Sequence, residues 1–74
     1  MSAPQRVVDA RGLEPPEPFV RTVDALDELA DGETLQLLIY REPHPLFRML
    51  RQNGYTYRSS LWDDGTYEIL IRKA

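Results

Sequence analysis

The stretch Gly12–Val20, "GLEPPEPFV", places three prolines within four positions, directly before an amphipathic helical pattern. Proline lacks a backbone N–H and fixes φ near about −65°, so it suits the first turn of a helix, where the N–H groups have no intrahelical partners. Each proline also pushes its predecessor toward extended conformations, which prevents an earlier helix start. We therefore predict a helix that begins at Pro16, with residue 15 at the N-cap and Gly12 in a tight turn.

Hydrophobic periodicity predicts the elements around this turn. A β-branched pair indicates a first strand over about residues 6–10, and residues 33–40, "ETLQLLIY", read as a central strand because both faces carry apolar residues. Asp31-Gly32 is predicted to end the first helix, with the glycine as its left-handed C′ residue. The apolar residues that place this helix over residues 21–30 and its first turn are Phe19, Val20, Val23, Leu26 and Ala30.

The second half of the sequence again places prolines before a helix, and it ends with a predicted β-hairpin. Pro43-His44-Pro45 precedes a short helix through residues 46–50 that Asn53-Gly54 ends. Residues 55–62 and 66–72 are predicted strands joined by Asp63-Asp64-Gly65. The order β-α-β-α-β-β predicts an α+β fold, a two-layer α/β sandwich with two helices on one face of the sheet.

Size and composition bound the remaining possibilities. Residues 1–74 form a single domain, with residues 1–5 expected to be a loose N-terminal tail. No cysteine is present, so disulfides, zinc–thiolate sites and thiol chemistry are absent, and no cofactor is expected. A net charge of −3 argues against a dedicated nucleic-acid binder. Without a membrane-spanning run or a signal segment, we expect a cytoplasmic monomer or weak dimer and no membrane partner.

The segment "DARGLEPPEPFV" resembles the signature of the TusA/SirA-like sulfur-carrier family, Gly-Leu-x-Cys-Pro-x-Pro at the end of the first strand. Four residues match, and Pro15 occupies the place of the cysteine; the matching residues are Gly12, Leu13, Pro16 and Pro18. "DGETLQLLI" and "YEILIRKA" are similar to the second and last strands of that family. "EPHPLFRML" resembles instead a cysteine-less, uncharacterised sister branch, in which an acidic-Pro-x-Pro-Leu-aromatic segment starts the second helix.

This resemblance implies a TusA-like, mixed four-stranded sheet and, in the carriers, persulfide relay by the cysteine. No residue of this chain holds a persulfide, so we expect neither sulfur transfer nor another enzymatic activity. The remaining expectation is a non-catalytic binding module, linked to redox or sulfur metabolism, whose partner is another protein or a small ligand. Its candidate binding residues surround the two helix starts: Arg11, Leu13, Glu14, Pro15, Glu17, Phe19, Glu42 and His44.

Two alternatives stay open from the residues alone. His44, the single histidine, predicts a metal- or haem-handling or enzyme accessory protein if further ligands complete a site. Aromatic residues interleaved with Arg58 and Arg72 on predicted strands indicate weak single-stranded nucleic-acid binding. Those aromatic residues are Tyr40, Tyr55, Tyr57, Trp62 and Tyr67.

The uncovered face of the sheet is a further candidate surface. In a two-layer sandwich only one face meets helices, so apolar residues of the other face form an exposed patch. By the alternation of the strands, the candidates for that patch are Leu38, Tyr40, Trp62 and Leu70, which cannot all lie beneath the helices.

Overall fold

The computed structural model describes residues 3–73, and within them the predicted element order is confirmed. Each strand lies within one residue of its predicted bounds. No helix of this range is long and apolar enough to cross a membrane. The elements are β1 (Arg6–Asp9), α1 (Glu17–Asp27), β2 (Thr34–Ile39), α2 (His44–Gln52), β3 (Tyr55–Leu61) and β4 (Tyr67–Lys73).

The expected N-terminal tail is only partly covered by the described residues, since residues 1 and 2 lie outside them. Gln5 is bound to the start of β2: its backbone N–H donates to the Thr34 carbonyl at 3.0 Å. The Thr34 N–H donates in return to Gln5 Oε1 at 2.7 Å. Gln5, the last residue of the expected tail, is therefore attached to the sheet.

The sheet has the strand order β1-β2-β4-β3. β1 pairs with β2 in parallel, whereas β2–β4 and β3–β4 are antiparallel, so the sheet is mixed and β2 is internal, as predicted. Asp9 pairs with Leu38, and Ile39 pairs with Tyr67. The ends of β1 and β2 and the beginning of β4 therefore share one edge of the sheet. Because α1 and α2 both follow strands that end there, we call it the helix-start edge.

Both helices cover the same face of the sheet. The side chains of Leu35 and Leu37 on β2 and of Ile69 and Ile71 on β4 are almost completely buried. They form one cluster with leucines of both helices and Phe47 of α2. Burying such a side chain stabilises the fold by roughly 1.5–3 kcal/mol relative to leaving it exposed. This cluster is the single core that a chain without disulfides requires.

The boundaries of α1 differ from the prediction at both ends. The N-cap is Pro16 and not the predicted residue 15, which lies one position before the cap, and Asp27 is the last helical residue. The predicted extension to Ala30 is wrong because the Ala30 N–H donates to Glu33 Oε1 at 2.8 Å instead of to a helical carbonyl. Gly32, at φ +80°, lies in the turn closed by the Glu33 N–H and the Ala30 carbonyl at 3.0 Å.

The buried face of α1 is also rotated relative to the predicted apolar stripe. Thr22 and Leu26 are buried, whereas Phe19 and Val20 remain 40% and 48% exposed. Thr22 tolerates complete burial because its hydroxyl donates to the Pro18 carbonyl at 2.8 Å, which satisfies the polar group within the helix. Two apolar side chains at the beginning of α1 consequently face solvent.

Candidate functional site

The predicted site residues belong to two segments that start from the helix-start edge. The first segment is the β1–α1 loop with the opening turn of α1, and the second leads into α2. Leu13 is half-buried and packs against the core, so it anchors the first segment and is not part of its surface. Arg11 is half-buried, and the other six residues are exposed: Glu14, Pro15, Glu17, Phe19, Glu42 and His44.

The β1–α1 loop consists of two successive turns. The Leu13 N–H donates to the Ala10 carbonyl at 3.2 Å, and Gly12 between them adopts φ +81°, which the absence of a side chain permits. The Glu17 N–H then donates to the Glu14 carbonyl at 3.0 Å. Pro15 and Pro16, joined by a cis peptide bond, form the tip of this second turn. The Pro15 ring is therefore exposed at the opening turn of α1.

Arg11 is held by Asp9 rather than by α1. Arg11 Nε lies 2.9 Å from Asp9 Oδ1, and Arg11 Nη2 lies 2.9 Å from Asp9 Oδ2. These side-chain hydrogen bonds and a third from the Arg11 backbone N–H lower the pKa of Asp9 to about 2. The pKa of Arg11 is raised, first by Asp9 and further by the nearby Tyr40 and Asp64. The Arg11 guanidinium is therefore paired with a carboxylate of β1 and not with a residue of α1.

His44 is the first residue of α2, and its side chain is 73% exposed. Its Nε2 lies 3.1 Å from Glu42 Oε1, and its ring meets the edge of Phe47 with centroids 5.9 Å apart. Within residues 3–73, no group of three or more His, Cys, Asp or Glu side chains could hold a metal ion. Because structural zinc takes four protein ligands and catalytic zinc three, a single His–Glu pair does not favour the metal-handling alternative.

Three of the five aromatic residues of the predicted stacking platform do not lie on the uncovered face of the sheet. Tyr55, Tyr57 and Tyr67 pack against the core on the helix-covered face. Tyr57 stacks on Phe47 with centroids 4.5 Å apart and planes 3° apart, and its hydroxyl accepts from Arg51 Nη1 at 2.7 Å. Single-stranded nucleic acid needs rings that are free to stack on bases, so this arrangement does not favour that alternative.

The predicted apolar patch on the uncovered face is smaller than the alternation suggests. Tyr40 and Trp62 are 55% and 38% exposed, whereas Leu38 is only 8% exposed and Leu70 is half-buried. Of the four candidates, Leu38 is therefore not part of an exposed patch. Leu38 lies on an internal strand between Asp9 of β1 and Glu68 of β4, its register partners on either side.

Two open grooves, each of about 330 Å³, lie away from the helix starts. One runs between β1 and α1. The other lies on the uncovered sheet face and is lined by Thr34, Thr56, Tyr57, Arg58, Leu70 and Arg72. Neither groove includes Pro15 or His44. In the first segment, Glu14, Pro15, Glu17 and Phe19 are exposed at the surface.

Sequence reasoning missed two features of this region. The exposure of Val20 beside Phe19 was missed, although the Thr22, Leu26 and Leu29 spacing that defines the buried face is visible in the sequence. The Asp9–Arg11 pair was also missed, and its signal was the Asp-x-Arg spacing at the end of a strand.

The fold is similar to that of a solved structure, and the sequence matches a protein family. The crystal structure of the SirA-like protein from Desulfitobacterium hafniense is similar, with a TM-score of 0.81 and 28% identity over 90% of this chain and 95% of that chain. No curated protein matches the sequence. The family described as "Uncharacterized conserved protein (DUF2249)" matches residues 7–73. Because that match includes both helices and nearly the whole sheet, this cysteine-free chain with a SirA-like fold belongs to the DUF2249 family.

Proposed function

We propose that this chain is a non-catalytic interaction module that binds a partner protein through the beginning of α1. We define the α1-start surface as the exposed apolar residues Pro15, Pro16, Phe19 and Val20 with Glu14 and Glu17 beside them. The observation that carries the proposal is the position of this surface. It occupies the turn at which the resemblance to sulfur carriers places their cysteine, and here it offers apolar contact without a nucleophile.

The form of the α1-start surface supports a protein partner over a small molecule. Small-molecule sites are concave and enclose most of the ligand, whereas Pro15 and Pro16 lie at the exposed tip of a turn. Proline rings and an aromatic side chain lose little conformational entropy when they are covered. Exposed apolar residues that lie together mark protein-binding surfaces. Docking on a rigid turn of this kind therefore requires little ordering of the chain.

The charges beside this surface define the chemistry of the partner. Glu14 and Glu17 are exposed, and Glu17 is only loosely paired with Arg21, at 3.7 Å between Oε2 and Nε. Complementary charge steers encounter and suppresses wrong partners. The proposed partner therefore presents an apolar recess flanked by basic side chains. By the resemblance to sulfur carriers, such partners belong to redox or sulfur metabolism.

The test begins with a photo-crosslinking amino acid at position 19 and, as a control, at position 7, another exposed apolar position on β1. The captured protein is then purified, and its affinity is measured with Phe19→Ala, Glu17→Arg and the matched variant Val7→Ala. Loss of a central aromatic contact typically weakens binding by at least about tenfold, so we expect that loss for Phe19→Ala. Val7→Ala should bind like the unmodified chain.

Backbone amide shifts on titration with the purified partner locate the interface independently. Changes centred on residues 14–20 support the proposal, with or without further changes over residues 42–48. A partner that shifts amides elsewhere, or that loses as much affinity with Val7→Ala as with Phe19→Ala, overturns it. Both substituted side chains are substantially exposed, so the variants keep the folded core.

A further inference from the structure

We propose that the uncovered face of the sheet carries a site for a small divalent oxyanion, of the phosphate-monoester class, held between Arg58 and Arg72. This site is separate from the α1-start surface and does not depend on the function proposed for it. It lies in the groove on the sheet face that is lined by Thr34, Thr56, Tyr57, Arg58, Leu70 and Arg72.

The strand register brings the two arginines together. Arg58 on β3 pairs with Leu70 on β4, and Thr56 pairs with Arg72, so Arg58 and Arg72 are diagonal neighbours on one face. Diagonal neighbours on antiparallel strands have Cα atoms about 7–8 Å apart, within the span of long side chains. Both guanidinium groups therefore reach a ligand that lies between them.

Within the described residues 3–73, neither arginine forms an ion pair with an acidic side chain. Among residues 3–73, the arginines in ion pairs are Arg6, Arg11 and Arg21, all at the other side of the molecule in β1, its loop and α1. Glu68, the acid on the same face of β4, accepts a hydrogen bond from Gln36 Nε2 at 2.6 Å. None of the six residues that line the groove is acidic. Glu68 is itself a diagonal neighbour of Arg58, but it forms no ion pair with either arginine. Two neighbouring cations that form no ion pair repel each other, and an anion between them relieves that repulsion.

The number of donors indicates a dianion. One guanidinium satisfies the two oxygens and the single charge of a carboxylate in a bidentate pair. Two guanidinium groups, together with the hydroxyls of Thr34 and Thr56 at the groove, match a group with two negative charges and three or more oxygens. The Thr56 hydroxyl is only weakly engaged, at 3.5 Å from the Arg72 carbonyl oxygen.

The dimensions and composition of the groove favour a small ligand. Its volume of about 330 Å³ is near the lower end of the range for small-molecule sites, about 300–1,000 Å³. Tyr57 lines the groove, but its ring is stacked on Phe47. Bases of a nucleic acid would therefore find no free ring within this groove, whereas a single phosphate group would contact both arginines.

An NMR titration that follows the arginine Nε–Hε signals tests the site, with sulfate, methyl phosphate and acetate as probes. We expect saturable shifts of Arg58 and Arg72 with sulfate and a dissociation constant on the order of 1 mM, as a few charge-assisted hydrogen bonds provide. Acetate, with one charge, should bind at least about fivefold more weakly. Methyl phosphate should bind more weakly as the pH falls through its second pKa of about 6, whereas sulfate should not.

Matched variants separate this site from general charge effects. Arg58→Gln and Arg72→Gln should each weaken sulfate binding by about fivefold or more, because each removes a guanidinium fork. Arg48→Gln, an exposed residue of α2 with the same charge change, should leave it within about twofold, since long-range surface charges are screened by salt. Arg72→Lys is a second variant that keeps the charge but loses the fork, and it too should bind more weakly.

Three outcomes would overturn the proposal. They are shifts that grow without saturation, equal weakening by Arg48→Gln and the groove variants, and an oligothymidylate that binds more tightly than methyl phosphate at equal phosphate concentration. Circular dichroism of each variant verifies that the exposed substitutions leave the fold intact.

Discussion

Arg11 forms a bidentate pair with Asp9: its Nε and Nη2 each donate a hydrogen bond of 2.9 Å to the Asp9 carboxylate. The Arg11 backbone N–H adds a third hydrogen bond to Asp9 Oδ1 at 3.2 Å. The loop that leads to Pro15 is therefore tied to the last residue of β1 before it turns toward α1. A bidentate pair of this kind orients the loop more than it stabilises the fold, because Asp9 is exposed and Arg11 is only half-buried, so solvent screens the pair.

Removing the hydrogen bonds from the Arg11 side chain should raise the pKa of Asp9. In the native chain the pKa is lowered from 3.8 to about 2, chiefly by the Arg11 side chain. Arg11→Gln should return it toward its ordinary value in an NMR titration of the Asp9 carboxyl carbon, while Arg48→Gln should leave it unchanged. Because the folded pKa is the lower one, the pair stabilises the fold above about pH 4 and loses that effect as the pH falls through about 2. If Asp9 titrates at its ordinary pKa in the native chain, the bidentate Asp9–Arg11 pair is contradicted.

A thiol at position 15 should report the electrostatics of the opening turn. We expect Pro15→Cys to have a lower thiol pKa than Ser60→Cys, an exposed position on β3, because the α1 N-terminus carries a partial positive charge. The difference should stay within about one unit, since residue 15 lies outside the cap and the dipole effect is about 0.3–1 kcal/mol.

Alkylation rates measured against pH give both thiol pKa values. Adding Glu17→Gln to Pro15→Cys should lower the thiol pKa further, because one neighbouring negative charge is removed. A higher thiol pKa at position 15 than at position 60, even after that change, would mean that the turn does not lie on the helix terminus.

The Phe47–Tyr57 stack should matter far more for stability than the hydroxyl at its edge. Phe47 is 7% exposed, so Phe47→Ala should lower the free energy of unfolding by about 3–5 kcal/mol. Tyr57→Phe keeps the stack and loses only the exposed hydrogen bond from Arg51, so it should cost about 1 kcal/mol or less. Urea unfolding of both variants measures the difference, and equal losses would contradict the stacked geometry.

Gly12 should be sensitive to substitution for backbone reasons alone. Its φ is +81°, and a Cβ added there would meet no atom within 4 Å. Gly12→Ala should therefore cost about 1–2 kcal/mol, the penalty of a left-handed conformation, and Gly12→Asn should cost less. Thermal unfolding of the two variants measures this difference in stability. An alanine variant as stable as the asparagine variant would rule out the turn described between Ala10 and Leu13.

The architecture was predictable because each pattern acts locally. Alternation in β2 and β4, the Asp64-Gly65 hairpin signal and the prolines before α1 each depend on residues a few positions apart. The mixed sheet came from the resemblance to sulfur carriers, and the structure has it. The position of Pro15 on the opening turn of α1 followed from proline geometry with an error of one residue.

The predictions that were wrong depend on contacts that the spacing of residues along the sequence does not encode. α1 ends early because Glu33, beyond the helix, takes the Ala30 N–H. Leu38 is buried on the uncovered face between its register partners Asp9 and Glu68, and these partners follow only from the strand order and register. Phe19 faces solvent because Thr22 satisfies its own hydroxyl and takes the core position. Each of these outcomes was decided by a side chain or a strand outside the pattern that suggested the prediction.

The position of β4 between β2 and β3 has a consequence for biosynthesis. β2 and β3 are not neighbours and are joined only through residues 67–73. While those residues are still inside the ribosome, the emerging chain has the β1–β2 pair and β3, which cannot pair with each other. Their unpaired strand edges favour association with other chains. A translation-arrested chain that exposes only residues before 66 should therefore be protease-sensitive, and protection should appear abruptly once β4 emerges.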